Sequence, residues 1–296
     1  MPITSVYLLV MISVFFWAAN FVLAGPILAV LSPLWAAAVR FVLGALLMFI
    51  IAAVRREHLF GLLRRHAAVY LLLGTVGITA FNLLFFHALQ STSANNAALI
   101  MATNPLITTL LATMFFGERP TLRQLLALPL ALIGVAVVIT HGHPARLVTL
   151  HVDHGDLLML AANVSWALYN VLGRRYMPQG SALGNTTWVM TAGAVLLLAI
   201  AIASGDSVAI PDLHASLALA VMVAGGTVLA YLFWSMGIAR LGATRTSIFI
   251  NLVPVFEMLI SASFGAPPTM AQLAGGLLVL GGVSISMFPA RRTALA

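Results

Sequence analysis

Two charged side chains interrupt stretches that are otherwise apolar. Arg40 lies within Leu34–Val54 and Glu257 within Ala243–Phe264. A cation at the centre of a membrane helix costs roughly 2.5–3.5 kcal/mol on insertion scales, so such a group faces protein or a water-filled cavity. Glu257 stands seven residues (264 − 257) before Phe264, and Arg40 seven (40 − 33) after Pro33. If both helix ends reach the same membrane face, the two groups share a depth of roughly 10 Å at about 1.5 Å per residue. Equal depth and unlike charge predict that the two stabilise each other, directly or through water, near the outer mouth of a cavity. The chemistry open to such a pair is structural, or direct contact with a solute or proton.

Aromatic and amide side chains recur at helical spacing. Trp17, Asn20 and Phe21 share one helix face, as do Trp166, Tyr169 and Asn170, and Tyr231 with Trp234. Trp17 and Trp166 sit well inside their apolar stretches, whereas Trp35 and Trp188 lie near stretch ends, as interfacial belts require. We expect Trp17, Asn20, Asn82, Trp166, Tyr169, Asn170, Tyr231, Trp234 and Asn251 to line a solute-binding cavity. The asparagines have another use, since amides bonding across membrane helices contribute about 0.6 kcal/mol each. Asn104 directly precedes Pro105, which frees the Met101 carbonyl, and satisfying that carbonyl is its expected role.

Several chemistries are excluded. All 14 basic residues are arginine, so no Walker A lysine and no lysine Schiff base exist. Cysteine is absent, which removes disulfides, thiolate metal sites and thiol nucleophiles. No nucleophile–base pair stands out, and neither an enzyme nor a bound cofactor is expected. His141, His143, His151, His154 and Asp153 crowd one loop in a spacing that matches no metal site, and a linker is expected there. His87 reads as interfacial and Glu118 as a loop charge beside Arg119.

These side chains require membrane helices to position them. Of 296 residues, 62% are hydrophobic and 7% charged, with a mean hydropathy of +1.08. Soluble domains carry about 25% charge. Ten apolar stretches approach the ~20 residues that cross a bilayer: Val6–Leu23, Leu34–Val54, Ala67–Leu89, Ala94–Phe116, Leu122–Thr140, Asp156–Gly173, Leu183–Ala203, Leu217–Ala239, Ala243–Phe264 and Met270–Phe288. The first has no preceding Arg or Lys and reads as a retained span. With the N-terminus inside, twelve arginines fall in inner segments, Arg146 falls outside and Arg40 within a span. Both termini are therefore expected to be cytoplasmic. This scatter is a topology signal, so the formal charge of +7 does not point to nucleic acid.

The second half repeats the first. Phe16-Trp17-Ala18-Ala19-Asn20-Phe21-Val22-Leu23 aligns with Ser165-Trp166-Ala167-Leu168-Tyr169-Asn170-Val171-Leu172 at an offset of 149 (166 − 17). The same offset carries Gly77 to Gly226, Asn82 to Tyr231 and Pro105 to Pro254; after one gap, Phe116-Gly117 matches Phe264-Gly265. Five spans per repeat is odd, so the halves lie oppositely in the membrane. Inverted repeats are the architecture of many secondary transporters, with the solute site where the halves meet.

The Trp17–Asn20 segment, the Arg40-Phe41 pair and the run from Phe86-His87-Ala88-Leu89 through Asn104-Pro105 to Phe116-Gly117-Glu118-Arg119 resemble the EamA-type transporters of the drug/metabolite transporter superfamily, most of all the bacterial aromatic amino-acid exporters. The resemblance covers essentially the whole chain. It implies an all-α membrane protein with ten transmembrane helices as two inverted five-helix repeats around a central cavity. Helices 1, 3, 4, 6, 8 and 9 would line that cavity, with helices 5 and 10 peripheral.

The sequence therefore predicts a first repeat over 1–140, an outer linker over 141–154 and a second repeat over 155–296. The expected function is export of small organic solutes across a bacterial inner membrane by alternating access. Amino acids are the favoured solutes, aromatic ones above others, because the proposed face is rich in tryptophan and tyrosine. A proton-coupled exporter of cationic drugs is the alternative, although helix 1 carries no acid. The expected partners are the solute and the lipid bilayer, without nucleic acid, for a monomer or weak homodimer.

Overall fold

The computed structural model describes residues 2–117, 122–143, 145, 153–241, 246 and 248–287. Every regular element among them is helical. We label the helices α1 (Ile3–Leu28), α2 (Pro33–Val54), α3 (Leu59–Ala88), α4 (Ala94–Phe116), α5 (Leu122–Ile139), α6 (His154–Tyr176) and α7 (Ala182–Ala203). After these come α8 (Leu213–Val221, Met222–Leu229 and Ala230–Leu241 in succession), α9 (Ile248–Leu252 followed by Val253–Ser263) and α10 (Met270–Met287). Among the described residues six helices are long and apolar enough to cross a membrane: α1, α2, α3, α4, α7 and the Leu213–Gly237 part of α8.

The molecule is apolar outside and polar within. Phe115, Leu122, Leu132, Val195, Leu259 and Leu277 are all exposed, while Asn82, Asn96, Asn104, Asn163, Thr187, Thr227 and Glu257 are buried. A bilayer accounts for this, since lipid solvates the apolar exterior and every polar group must find a partner inside.

Helix starts follow capping chemistry. Ser32 accepts from the Trp35 N–H at 3.4 Å and Ser181 from the Gly184 N–H at 3.3 Å, satisfying donors that an N-terminal turn leaves free. These serines are 149 residues apart and start α2 and α7 alike. Gly117 ends α4 at φ 65°, a conformation that favours glycine. The third apolar stretch was expected from Ala67; its helix begins earlier, at Leu59, and bends at His66 (φ −132°, ψ 19°).

Packing repeats with the same symmetry as the sequence. α1 packs on α8 and α9, as α6 packs on α3 and α4. α2 packs on α7 and on the middle of α8, and α7 packs in turn on the middle of α3. α5 and α10 pack most extensively on each other. Each helix of the first half thus exchanges with the fifth one after it.

Four departures from α-helical geometry fall at matched places. α3 passes through a π-helical segment at Gly74–Ala80, and α8 through one at Met222–Leu229. α4 breaks between Met101 and Asn104, and α9 opens with the 3₁₀ turn Ile248–Leu252. Pro105 and Pro254, which lack the N–H an unbroken helix needs, follow the two breaks.

Trp188, expected in an interfacial belt, is instead buried at 8% exposure. Its Nε1 donates to the Leu59 carbonyl at 2.8 Å, and its ring packs edge-on against Phe49 and Phe60. The bend in α3 brings that carbonyl within reach. Trp35, by contrast, bonds the Asp206 carbonyl at an exposed site.

Candidate functional site

The matched irregularities converge on a central chamber of about 70 Å³. Trp17, Asn20, Arg40, Phe81, Asn82, Trp166 and Tyr231 line it, with Met101, Ala102 and Asn104 from the break in α4 and Ile250 and Val253 from the start of α9. The lining draws on α1, α2, α3, α4, α6, α8 and α9; α5 and α10 contribute none of these residues. α2 joins the expected set through Arg40 and Phe41.

The chamber's aromatic wall comes from both halves. Trp17 has its ring centroid 6.4 Å from that of Trp166, 5.7 Å from Tyr231 and 4.9 Å from Trp234. Trp166 is also 5.2 Å from Phe81 and 5.0 Å from Tyr169. Most of these pairs are edge-on or tilted, the arrangements that ring quadrupoles favour. Trp234 and Tyr169 therefore back the lining tryptophans.

Arg40 is 4% exposed and held in a polar nest. Its Nε donates to Thr227 Oγ1 at 2.9 Å and its Nη1 to Asn82 Oδ1 at 3.4 Å. With the Asn20 amide oriented to match its neighbours, Asn20 Oδ1 accepts from Arg40 Nη2 at 3.0 Å and Nδ2 donates to the Phe16 carbonyl at 3.3 Å. The π segment of α8 positions Thr227, whose hydroxyl donates to the Met222 carbonyl five residues back at 3.1 Å. Asn82 is anchored similarly, donating to the Ile78 carbonyl at 2.8 Å.

Arg40 and Glu257 do not form a direct ion pair. His141 and Asp153 approach to 3.4 Å at a largely exposed site, and no carboxylate of a described residue lies within 4.0 Å of Arg40. Glu257, fully buried on α9, accepts from Ser261 Oγ at 2.5 Å. With the Asn95 amide oriented to match, its nitrogen donates to the Glu257 carboxylate at 2.6 and 3.2 Å. Shared depth does not fix lateral neighbours. α2 packs on α7 and α8, whereas α9 packs on α1 and α4, so the two groups meet different neighbours.

Four polar residues separate the chamber from a wider cleft. The cleft has a volume of about 480 Å³ and is lined by Thr108, Ala112, Phe116, Asn170, Val171, Arg174 and Arg175. Asn104 faces the chamber, and its Oδ1 accepts from Asn170 Nδ2 and Thr108 Oγ1, each at 3.2 Å. Its Nδ2 donates to Asn163 Oδ1 at 2.7 Å. Asn163 Nδ2 in turn donates to the Ile100 carbonyl at 2.7 Å and to Thr103 Oγ1 at 3.0 Å. Asn163, reaching across from α6, thus bonds the broken end of α4 at Ile100 and Thr103, whereas the Asn104 side chain, expected at the Met101 carbonyl, bonds Asn163, Asn170 and Thr108.

Among the expected site residues, Trp17, Asn20, Asn82, Trp166, Tyr231 and Arg40 line the chamber, and Asn170 faces the cleft. Asn251 lies in the 3₁₀ turn between Ile250 and Val253, which line the chamber while Asn251 does not. Thr227, Phe81 and Thr108 were not foreseen. A threonine in an apolar run carries no signal, although Phe81 directly precedes Asn82. Among the described residues no three His, Asp or Glu side chains gather as a metal site. His151, part of the expected linker, lies outside the described residues, as does Glu118.

The sequence pattern of the EamA-like transporter family matches residues 4–140 and 153–288. The uncharacterized transporter YyaM of Bacillus subtilis is 40% identical over 281 residues, spanning 94% of this chain and 92% of that protein. A probable amino-acid metabolite efflux pump of Salmonella typhimurium is 28% identical, spanning 97% and 96%. A probable terminal-alkyne amino-acid exporter of Streptantibioticus cattleyicolor is 26% identical, spanning 72% and 71%. None of these descriptions specifies an aromatic solute. A solved crystal structure with 22% sequence identity shares the fold at a TM-score of 0.68, covering 98% of this chain and all of that one.

Proposed function

The chain belongs to the EamA-like transporter family, and on that premise we propose that it exports amino acids, aromatic ones above others, by alternating access. It is a membrane transporter and not an enzyme. The observation that carries the solute class is the meeting of Trp17, Trp166 and Tyr231, drawn from both repeats, beside Asn20, Asn82 and Arg40. Flat aromatic faces suit an aromatic side chain, and the amides suit the polar end of an amino acid. Two relatives described as amino-acid efflux proteins support the same class.

The shape of the chamber supports this transport mode. Small-molecule pockets measure about 300–1,000 Å³, so a chamber of about 70 Å³ must widen to take a solute. The breaks in α4 and α9 and the π segments of α3 and α8 border it, where short helical pieces rearrange without disturbing whole spans. In our reading ten spans form two inverted repeats, 1–140 and 155–296, joined by the outer linker 141–154. In the same reading both termini are cytoplasmic, and Arg174 and Arg175 at the wider cleft support a cytoplasmic side for it by the positive-inside rule. The bilayer is the bacterial inner membrane.

Counterflow in proteoliposomes holding the purified protein tests this, using the twenty amino acids and several cationic dyes. Saturable exchange of aromatic amino acids is the expected result. Exchange of dyes alone would replace the reading with that of a cationic-drug exporter. The chamber argues against that alternative, because among the described residues its lining contains a guanidinium and no carboxylate.

A further inference from the structure

Arg40 carries a full charge into the interior without an acid to balance it. Guanidinium is protonated in proteins at any accessible pH. Buried charges are ordinarily paired, yet no acidic oxygen lies within 4.0 Å of Arg40 among the described residues. Its partners Thr227, Asn82 and Asn20 are neutral. They hold the group in place and leave its charge unbalanced.

The donor inventory points the same way. A guanidinium has five N–H groups in a fixed planar fork. The nest engages three, one each on Nε, Nη1 and Nη2. One N–H on each terminal nitrogen remains, and Arg40 lines the chamber. Carboxylates are acceptors suited to such a group, forming short charge-assisted bonds.

The rest of the chamber adds to this potential. The half-helices Asn104–Phe116 and Val253–Ser263 both begin at the chamber wall, and helix N-termini carry partial positive charge. The site is also one-sided. At the repeat offset of 149, Arg40 corresponds to Val189 and Thr227 to Ile78, so the nest exists in one half only. A purely architectural device of the repeat would appear in both.

We propose that Arg40 is the receptor for a carboxylate on the transported solute, so that the chamber takes aromatic carboxylates and rejects the corresponding amines. The aromatic wall receives the ring, and the solute carboxylate supplies the counter-charge that the protein withholds. The solute class rests on the transport reading above, but the binding site can be tested apart from it.

Calorimetric binding to the purified full-length protein in lipid nanodiscs decides the matter, with 3-phenylpropionate, L-phenylalanine and phenethylamine as probes. We expect the two carboxylates to bind and the amine to bind at least about tenfold more weakly, as the loss of a charge-assisted pair implies. Arg40→Gln should lower 3-phenylpropionate binding by a similar factor. Asn82→Asp keeps Arg40 and places a carboxylate against it, so it should also lower binding about tenfold by occupying the fork. Should Arg40→Gln fail to fold, Asn82→Asp decides alone. Equal affinity for acid and amine, no binding of 3-phenylpropionate, or undiminished binding in Asn82→Asp would overturn the proposal. Arg40-dependent binding without counterflow of any amino acid would uphold this site while removing the transport reading.

Discussion

Trp17 and Trp166, which hold the same position in the two repeats, meet edge to face with ring centroids 6.4 Å apart and planes at 77°. Residues that exchange under a two-fold operation come together only near its axis. This contact is therefore where an axis relating the repeats would pass, and it forms part of the chamber wall.

Truncating either ring should separate solutes by type. An aromatic pair contributes about 0.5–1.5 kcal/mol beyond area burial, which is roughly a two- to tenfold change in affinity. Trp17→Ala and Trp166→Ala should raise the half-saturating concentration for phenylalanine by that factor and leave alanine nearly unchanged. Proteoliposome counterflow with both solutes measures the difference. Equal losses for the two would mean that the rings brace helices and do not receive the solute.

The Asn170–Asn104 bond separates the chamber from the cleft, and bonds of this kind in membrane proteins average about 0.6 kcal/mol. A barrier this small suits a contact that must break during each cycle. Asn170→Ala should cost little stability and expose the chamber more often, by about threefold for 0.6 kcal/mol. The chain has no cysteine, so Ala102→Cys in the chamber wall gives a clean reporter. Its labelling by a thiol reagent from the cleft side should quicken by that factor in Asn170→Ala. By contrast, Asn163→Ala removes buried bonds to the Ile100 carbonyl, Thr103 and Asn104 together, a loss of about 1–3 kcal/mol that thermal unfolding should record.

Much of this arrangement was legible in the sequence because a repeat is a one-dimensional signal. The offset of 149 that joins Trp17 to Trp166 also joins Ser32 to Ser181 and Pro105 to Pro254, and each pair plays the same structural part in both halves. Spacing on one helix likewise put Trp17 and Asn20 on the chamber face. Lateral neighbours were not legible. Depth is one coordinate of three, so an expected equal depth says nothing of the separate nests that Arg40 and Glu257 occupy. Thr227 is the clearest omission, since a π turn in α8 aims it and the sequence Gly225-Gly226-Thr227 does not announce that turn.

Separate nests imply independent energetics. Arg40 and Glu257 share no hydrogen-bond partner, and sites without shared partners add within about 0.3–0.5 kcal/mol. Arg40→Gln and Glu257→Gln should therefore each destabilise the protein, and the double variant should show the sum. A thermal-unfolding double-mutant cycle in detergent measures this. Recovery of stability in the double variant would restore the ion pair that the structure does not contain.

The last prediction uses the repeat against itself. Gly77 and Gly226 are equivalent, and each lies in a π segment against α6 or α1. A Cβ on Gly77 would collide with the Tyr169 ring, and one on Gly226 with the Asn20 amide. Tyr169 and Asn20 are themselves equivalent at the same offset, so Gly77→Ala and Gly226→Ala impose the same steric insult on the two halves. Overpacking of this kind typically costs about 1–3 kcal/mol, and the two variants should lose similar stability. Their transport should differ. Displacing Asn20 removes a bond that holds Arg40 at the chamber wall, whereas displacing Tyr169 disturbs only the backing of Trp166. At matched amounts of folded protein, Gly226→Ala should therefore depress phenylalanine counterflow several-fold more than Gly77→Ala, because a misplaced charge-assisted donor loses about 1.5–3 kcal/mol and a loosened ring pair less. Equal losses in the two would show that Arg40's position has no bearing on the solute.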